Sequence, residues 1–186
     1  MGFTREKLES FRGATVPDLI GEHCRLLFVG INPGLWTAAT QTHFCHPSNR
    51  FYPALRAVGL IGWTVDTDHG MTDTQRKSLT DVGIGITNLV SRATARASEL
   101  GREELREGAK RLRNLVGHLA PDVVAVAGVT AYRDAFGDRR AKLGEQGDLA
   151  GTSLWVVPNP SGLNAHETIA SLADWYSKAA HAAGIL

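Results

Sequence analysis

The chain has 186 residues, with 20 Lys and Arg against 19 Asp and Glu, so its formal net charge is +1. That length fits one domain, and the charge balance excludes a polybasic tail binder, so any anion-binding site has to be local. Cys24 and Cys45 are the only cysteines, too few for a disulfide framework or a four-cysteine metal site, and they suit a reducing compartment.

Residues 1–20 are expected to hold an N-terminal helix, with 1–15 a loosely attached extension and 16–186 a single domain. The opening MGFTREKLESFRG scatters its charges and has no apolar centre, so it does not read as a signal peptide. Arg25 to Gly30 (RLLFVG) is a compact apolar run, closed by the breaker Asn32-Pro33-Gly34. Apolar residues at 51, 52, 55 and 58 predict a helix over 49–58, with Ser48 as its N-cap. Residues 60–80 are polar and predict a loop plus a short helix. Ile84 to Val90 (IGITNLV) is rich in β-formers. From Arg102 to Leu119, apolar residues 105, 109, 112, 116 and 119 mark one face of a helix that Pro121 ends. Val123 to Gly128 (VVAVAG) is a second continuous apolar run, and Thr130 to Phe136 predicts a short helix. Leu154 to Val157 (LWVV) is broken by Pro158-Asn159-Pro160. A last helix is expected over Glu167 to Ala180, with Ile169, Leu172, Ala173 and Tyr176 facing inward.

Runs that are apolar throughout predict strands buried on both faces. Four are expected, at 25–30, 84–89, 123–128 and 153–157. Separated by helices, they predict a parallel four-stranded sheet in a three-layer α/β/α sandwich. None approaches the length needed to span a bilayer, and no membrane partner is expected. Open parallel sheets bind ligands outside the carboxyl ends of their strands. Those ends carry Ile31-Asn32-Pro33-Gly34, Thr87-Asn88, Gly128-Val129-Thr130 and Asn159-Pro160-Ser161-Gly162-Leu163. They offer amides, hydroxyls and glycines. They hold no carboxylate pair, no lysine nucleophile and no phosphate loop. Such a site can place a water and donate backbone N–H groups, but it suits a leaving group that departs without full protonation. His43, Cys45 and His46 give three ligand types in four residues with no second cluster, so no metal and no other cofactor is expected.

Four segments, in order and with matching spacing, carry a resemblance. They are Gly30-Ile31-Asn32-Pro33-Gly34, Phe44-Cys45-His46-Pro47-Ser48-Asn49-Arg50-Phe51, Gly85-Ile86-Thr87-Asn88-Leu89-Val90 and Asn159-Pro160-Ser161-Gly162-Leu163. Together they resemble the motifs of the mismatch-specific uracil-DNA glycosylase and thymine-DNA glycosylase family, within the uracil-DNA glycosylase superfamily. Tyr52 stands where that family has Trp, and the likeness spans roughly residues 16–180. It implies a DNA repair glycosylase acting by base flipping, monofunctional, on double-stranded DNA containing uracil or a mismatched base. It also implies a monomer in the cytoplasm, at the nucleoid if the source is bacterial. By resemblance, Asn32 orients the attacking water and Asn88 lies close to it. Phe44 stacks on the extruded base, and backbone N–H groups near Ile31, Asn32 and Phe44 read its carbonyls. His43 and Thr37 are further candidate base contacts. Leu163 is the wedge entering the duplex, with Asn159, Ser161, Gly162 and Asn164 beside it on the DNA. Some members follow the wedge with Ser-Arg, whereas Asn164-Ala165-His166 follow here. Trp36 and Thr37 also replace small residues after the first motif. Base identity therefore stays open between uracil, hypoxanthine and xanthine, as does a non-catalytic binder of damaged DNA. Arg50, Arg92, Arg96 and Lys110 are candidate phosphate partners, with a solvated surface role as the alternative for each.

Overall fold

The apolar runs become the centre of a sheet, as their two-sided hydrophobicity requires. In a computed structural model describing residues 2–186, β1 (Leu26–Gly30), β2 (Ile84–Asn88) and β3 (Val123–Ala127) are buried at every position. β4 (Gly144–Leu149) and β5 (Thr152–Val157) complete a five-stranded sheet of order β2-β1-β3-β5-β4. All pairings are parallel except β4 with β5, which is antiparallel. The fold class is the expected one, with one strand more than the four predicted. β4 reads GEQGDL, with two glycines, two acids and a single large apolar residue, and its register slips between Glu145 and Gly147. A polar, irregular strand gives no periodic signal, and the same traits keep an edge strand from pairing with other chains.

Alternation along β1 divides the core into two. Leu26 and Phe28 face a cluster with Phe51, Leu55, Leu79, Leu172 and Tyr176. Those residues belong to α3 (Phe51–Val58), α4 (Asp73–Asp81) and α7 (Ile169–Ala182). Leu27 and Val29 face Leu105, Leu112, Val116 and Tyr132 on α5 (Arg102–Leu119) and α6 (Val129–Phe136). The layers are therefore helices, sheet, helices. Phe28 sits edge-on to both Phe51 and Tyr176, with ring centroids 5.1 and 5.0 Å away.

Local chemistry sets the helix ends. α7 starts with a capping box between Thr168 and Ser171, and Ile169 in its first turn is 43% exposed rather than inward. α3 starts at Phe51 with Arg50, not Ser48, in the N-cap position, and the Phe51 amide donates to Asn49 Oδ1 at 2.9 Å. α5 ends at Leu119, with Ala120 as its C-cap in the left-handed region at φ 47, just before Pro121.

α1 (Arg5–Glu9) and α2 (Leu35–Thr40) lie beyond the sheet's carboxyl end, where Leu8, Phe11 and Ala14 pack against Val16, Leu35, Ala38 and Ala93. Arg12 pairs with Glu9 and Glu99. Residue 1 of the expected N-terminal extension lies outside the described residues. Among the described residues, no helix is long and apolar enough to cross a membrane.

α5 presses on the end of β2 through Gly108. A Cβ there would stand 2.3 Å from the carbonyl oxygen of Leu89 and 2.8 Å from its carbonyl carbon. Gly108→Ala in an open helix would add about 0.5–1 kcal/mol. Here the clash is with backbone, so the substitution is expected to destabilise by about 1–3 kcal/mol. Urea denaturation measures this, and a raised midpoint would contradict it.

Candidate active site

Parallel β1, β3 and β5 end on one side of the sheet, and this brings the first and last motifs together. Gly128 follows β3 at φ 116 and donates to the Val157 carbonyl at 2.8 Å. The position a Cβ would take on Gly128 is 3.6 Å from Asn159 and 3.7 Å from Ile31. Ile31 and Asn159 are thus neighbours across a glycine.

Asn32 follows β1 by two residues, and its amide orientation is determined. Nδ2 donates to the Arg92 carbonyl at 3.0 Å, to Thr94 Oγ1 at 2.8 Å and to the Pro33 carbonyl at 3.1 Å. The Thr94 hydroxyl gives its own proton to the Arg96 carbonyl at 2.9 Å, so toward Asn32 it can only accept. With acceptors on that side, the nitrogen must face them, and Oδ1 is the atom left to accept a bond. Thr94 N–H donating to the Pro33 carbonyl at 3.1 Å ties the two loops together.

A second amide is fixed in the same way. Asn88, buried at the end of β2, donates Nδ2 to His43 Nδ1 at 3.0 Å. Across the ring, His43 Nε2 donates to the Pro17 carbonyl at 2.9 Å. This pattern assigns the neutral Nε2–H tautomer. Burial holds the His43 pKa below its ordinary value, against the opposing pull of the Pro17 carbonyl and Asp18. Asn88 Oδ1 then points at Gly30, 2.4 Å from where a Cβ would be. The edge of Phe44 meets the same glycine at 3.2 Å. Only a glycine lets the carboxamide and the ring converge there.

Phe44 is held in the left-handed region at φ 56. Its ring stacks on Phe51 with centroids 4.3 Å apart and planes 27° from parallel. One face therefore rests on Phe51 and, through it, on the core. Among the described residues, no group accepts from the main-chain N–H of Asn32 or Phe44. Thr37 is buried on α2. Trp36 donates Nε1 to the Thr67 carbonyl and meets the His46 ring edge-on at 5.5 Å. His43, Cys45 and His46 do not converge. Cys45 Sγ points to the Asp66 carbonyl at 3.6 Å, and His46 Nδ1 accepts from the Ser48 amide at 3.2 Å. A cavity of about 490 Å³ is lined by Phe44, Tyr52, Pro53, Arg56, Trp63 and Ile169 among others. Asn32, Asn88 and Leu163 do not line it.

The last motif forms a tight loop closed on itself. Asn159 Oδ1 accepts from the Ser161 amide at 3.0 Å, and Ser161 Oγ accepts from the Leu163 amide at 3.3 Å. Asn164 Nδ2 donates to the Asn159 carbonyl at 3.0 Å, so that side chain serves the loop. Leu163 stands at the tip, 92% exposed. Gly162 rests on Ser48, where a Cβ would come within 2.4 Å of the hydroxyl oxygen. The segment carrying Phe44 thus runs directly beneath the loop carrying Leu163.

Four cations were candidates for phosphate. Arg92 is paired with Glu104 at 2.6 Å and Lys110 with Glu107 at 2.6 Å, while Arg96 is exposed. Arg50 differs from both readings given to it: its guanidinium is part-buried and bonded to backbone carbonyls. Sequence reasoning missed Thr94 and Pro17, which orient the two amides. Each lies in a loop with no motif of its own, and Thr94 is 62 positions from Asn32.

Two comparisons bear on this site. The family model for the uracil DNA glycosylase superfamily matches residues 17–181. The solution NMR structure of a Methanosarcina acetivorans protein, described provisionally as a uracil DNA glycosylase, is similar in fold, with a TM-score of 0.60. At 19% identity, the match covers 92% of this chain and 98% of that one.

The His43 contacts predict a pH dependence of stability. The unfolded chain takes up a proton on His43 near 6.5, while the fold resists it. Below 6.5 and down to the depressed folded value, the unfolded state binds more protons, so stability falls as pH falls through that window. His43→Asn should flatten this slope, read from urea midpoints at about pH 8 and about pH 5. An equal slope in both proteins would count against the buried neutral histidine.

Proposed function

The chain belongs to the uracil-DNA glycosylase superfamily, and from that membership we propose that it hydrolyses the N-glycosidic bond of uracil in double-stranded DNA, best opposite guanine. In this reading it is monofunctional and leaves an abasic site. The observation that carries it is the fixed amide of Asn32, whose Nδ2 is engaged by Thr94 and Arg92 while Oδ1 remains to receive a water.

A base inside a duplex hides its glycosidic bond, so the nucleotide must first be extruded, at a cost of a few kcal/mol that is smallest at a mismatch. Leu163, exposed at its loop tip, fills the vacated space as apolar wedges do. The extruded base stacks on the free face of Phe44, which contributes about 1–3 kcal/mol and tolerates several bases. In place of the contact with the attacking water that the resemblance implies, Asn88 is assigned to the base: its Oδ1 accepts from the imide N–H. Cytosine lacks that N–H, so a nitrogen-locked amide discriminates against it. The same logic admits hypoxanthine, which keeps an N–H at the corresponding edge, so the second reading is a glycosylase for other deaminated bases.

Breaking C1′–N1 leaves an oxocarbenium-like sugar and a uracil anion. The anion's charge spreads to its carbonyl oxygens, where the N–H groups of Asn32 and Phe44 donate. One preorganised donor of this kind is worth about 2.7–4 kcal/mol. Water needs orienting more than deprotonating, because its electrophile is already cationic, and Asn32 Oδ1 suffices for that. Segments 31–37, 43–51, 88–94 and 159–166 contain no lysine and no carboxylate. That composition supports hydrolysis without a Schiff base and turnover slower than a carboxylate base would give.

The test is a labelled G·U duplex, incubated with the protein and then treated with alkali to cleave abasic sites. Wild type is expected to give product, and Asn32→Ala to lose on the order of 10²-fold or more in single-turnover rate. Thr94→Val keeps the shape but removes one of the three acceptors that hold Asn32 Nδ2, and it should cost up to roughly tenfold with little change in melting temperature. Hypoxanthine and xanthine duplexes in the same panel separate the two readings. Lesion binding without any base release would favour a non-catalytic binder.

A further inference from the structure

Arg50 makes the densest set of contacts to the wedge loop. Its backbone N–H donates to the Pro160 carbonyl at 3.0 Å. Its guanidinium donates from one terminal nitrogen to the Ser161 carbonyl at 2.6 Å and the Asn164 carbonyl at 2.7 Å, and from the other to the Glu167 carbonyl. The four carbonyls flank Leu163 on both sides. The guanidinium hydrogen on Nε is buried without a partner among the described residues. Leaving a donor unmet is unfavourable, and a solvated phosphate-binding arginine would not hold this pose. The next residue, Phe51, is the ring on which Phe44 stacks. One dipeptide therefore holds the wedge with one side chain and the base platform with the other.

We propose that Arg50 is a positioning residue: it fixes the Leu163 loop against the Phe44–Phe51 stack, so that strand entry and base capture occur as one rigid movement. The proposal rests on the glycosylase reading above and deepens it. The fork geometry matters, because a planar guanidinium spans separate carbonyls from fixed directions, while an ammonium is a point with three rotatable donors. Arg50 acts through Leu163, so it is needed only where a duplex has to be opened.

The experiment compares uracil in a G·U duplex with the same uracil inside a non-complementary bubble, where little extrusion work remains. Single-turnover rates are measured for wild type, Arg50→Ala, Arg50→Lys, Leu163→Ala and the Arg50→Ala/Leu163→Ala pair, with melting temperatures alongside. On the duplex, Arg50→Ala is expected to lose on the order of tenfold or more, with Arg50→Lys between it and wild type. On the bubble, both should stay within about threefold of wild type. In the Leu163→Ala background, adding Arg50→Ala should change the duplex rate little, because the two side chains act as a unit. Equal losses on duplex and bubble, or additive losses in the pair, overturn the proposal while leaving the glycosylase reading intact. If Arg50→Ala does not fold, Arg50→Lys carries the test: a duplex-selective loss supports the proposal, and wild-type rates on both substrates overturn it. A wild type inactive on both substrates overturns the glycosylase reading, and the proposal with it.

Discussion

The stack of Phe44 on Phe51 joins the interior of the protein to the loops at the carboxyl end of the sheet. Phe51 is fully buried and edge-on to Phe28, at the centre of the sheet, and Phe28 in turn meets Tyr176 on α7. Aromatic contacts of this geometry are each worth about 0.5–1.5 kcal/mol beyond area burial. The orientation of the Phe44 ring is therefore set by the core packing, not by the loop that carries it. That matters because Phe44 itself sits in a strained backbone region, at φ 56, which a free loop would not keep.

The two carboxamides follow the same logic with hydrogen bonds. An asparagine side chain can present either its oxygen or its nitrogen, and a site that needs one must remove the ambiguity. Asn32 is resolved by Thr94, whose proton is committed to the Arg96 carbonyl. Asn88 is resolved by His43, whose proton is committed to the Pro17 carbonyl. In both cases the chain of donors ends on a main-chain carbonyl, an acceptor that cannot reverse. Neutral groups so constrained can do directional chemistry without a buried charge, whose desolvation would be expensive.

Most of the frame was legible in the sequence, since continuous apolar runs and a regular helical face leave few alternatives. Leu105, Ala109, Leu112 and Val116 are buried as their spacing requires. β4 was not legible, because GEQGDL carries no periodic signal. Ser48 was the natural cap by residue type, but it lies under Gly162; Arg50 takes the N-cap position and Asn49 Oδ1 accepts from the Phe51 amide. The motifs announced Asn32, Phe44 and Leu163, and the structure places them at one end of the sheet. The supporting residues were hidden because they act by where they end up. Thr94 and Pro17 are ordinary loop residues until the fold brings them to a partner, and Arg50 looks like surface charge until its carbonyl partners are seen.

A lone leucine at the apex of an otherwise polar turn also bears on colloidal behaviour. Isolated apolar side chains on a surface are tolerated, whereas contiguous apolar patches promote self-association. Leu163 is flanked by Ser161, Gly162 and Asn164, so its exposure creates a point and not a patch. One branched side chain is large enough to occupy a gap between stacked bases. It is also small enough that the protein gains no sticky face from its exposure.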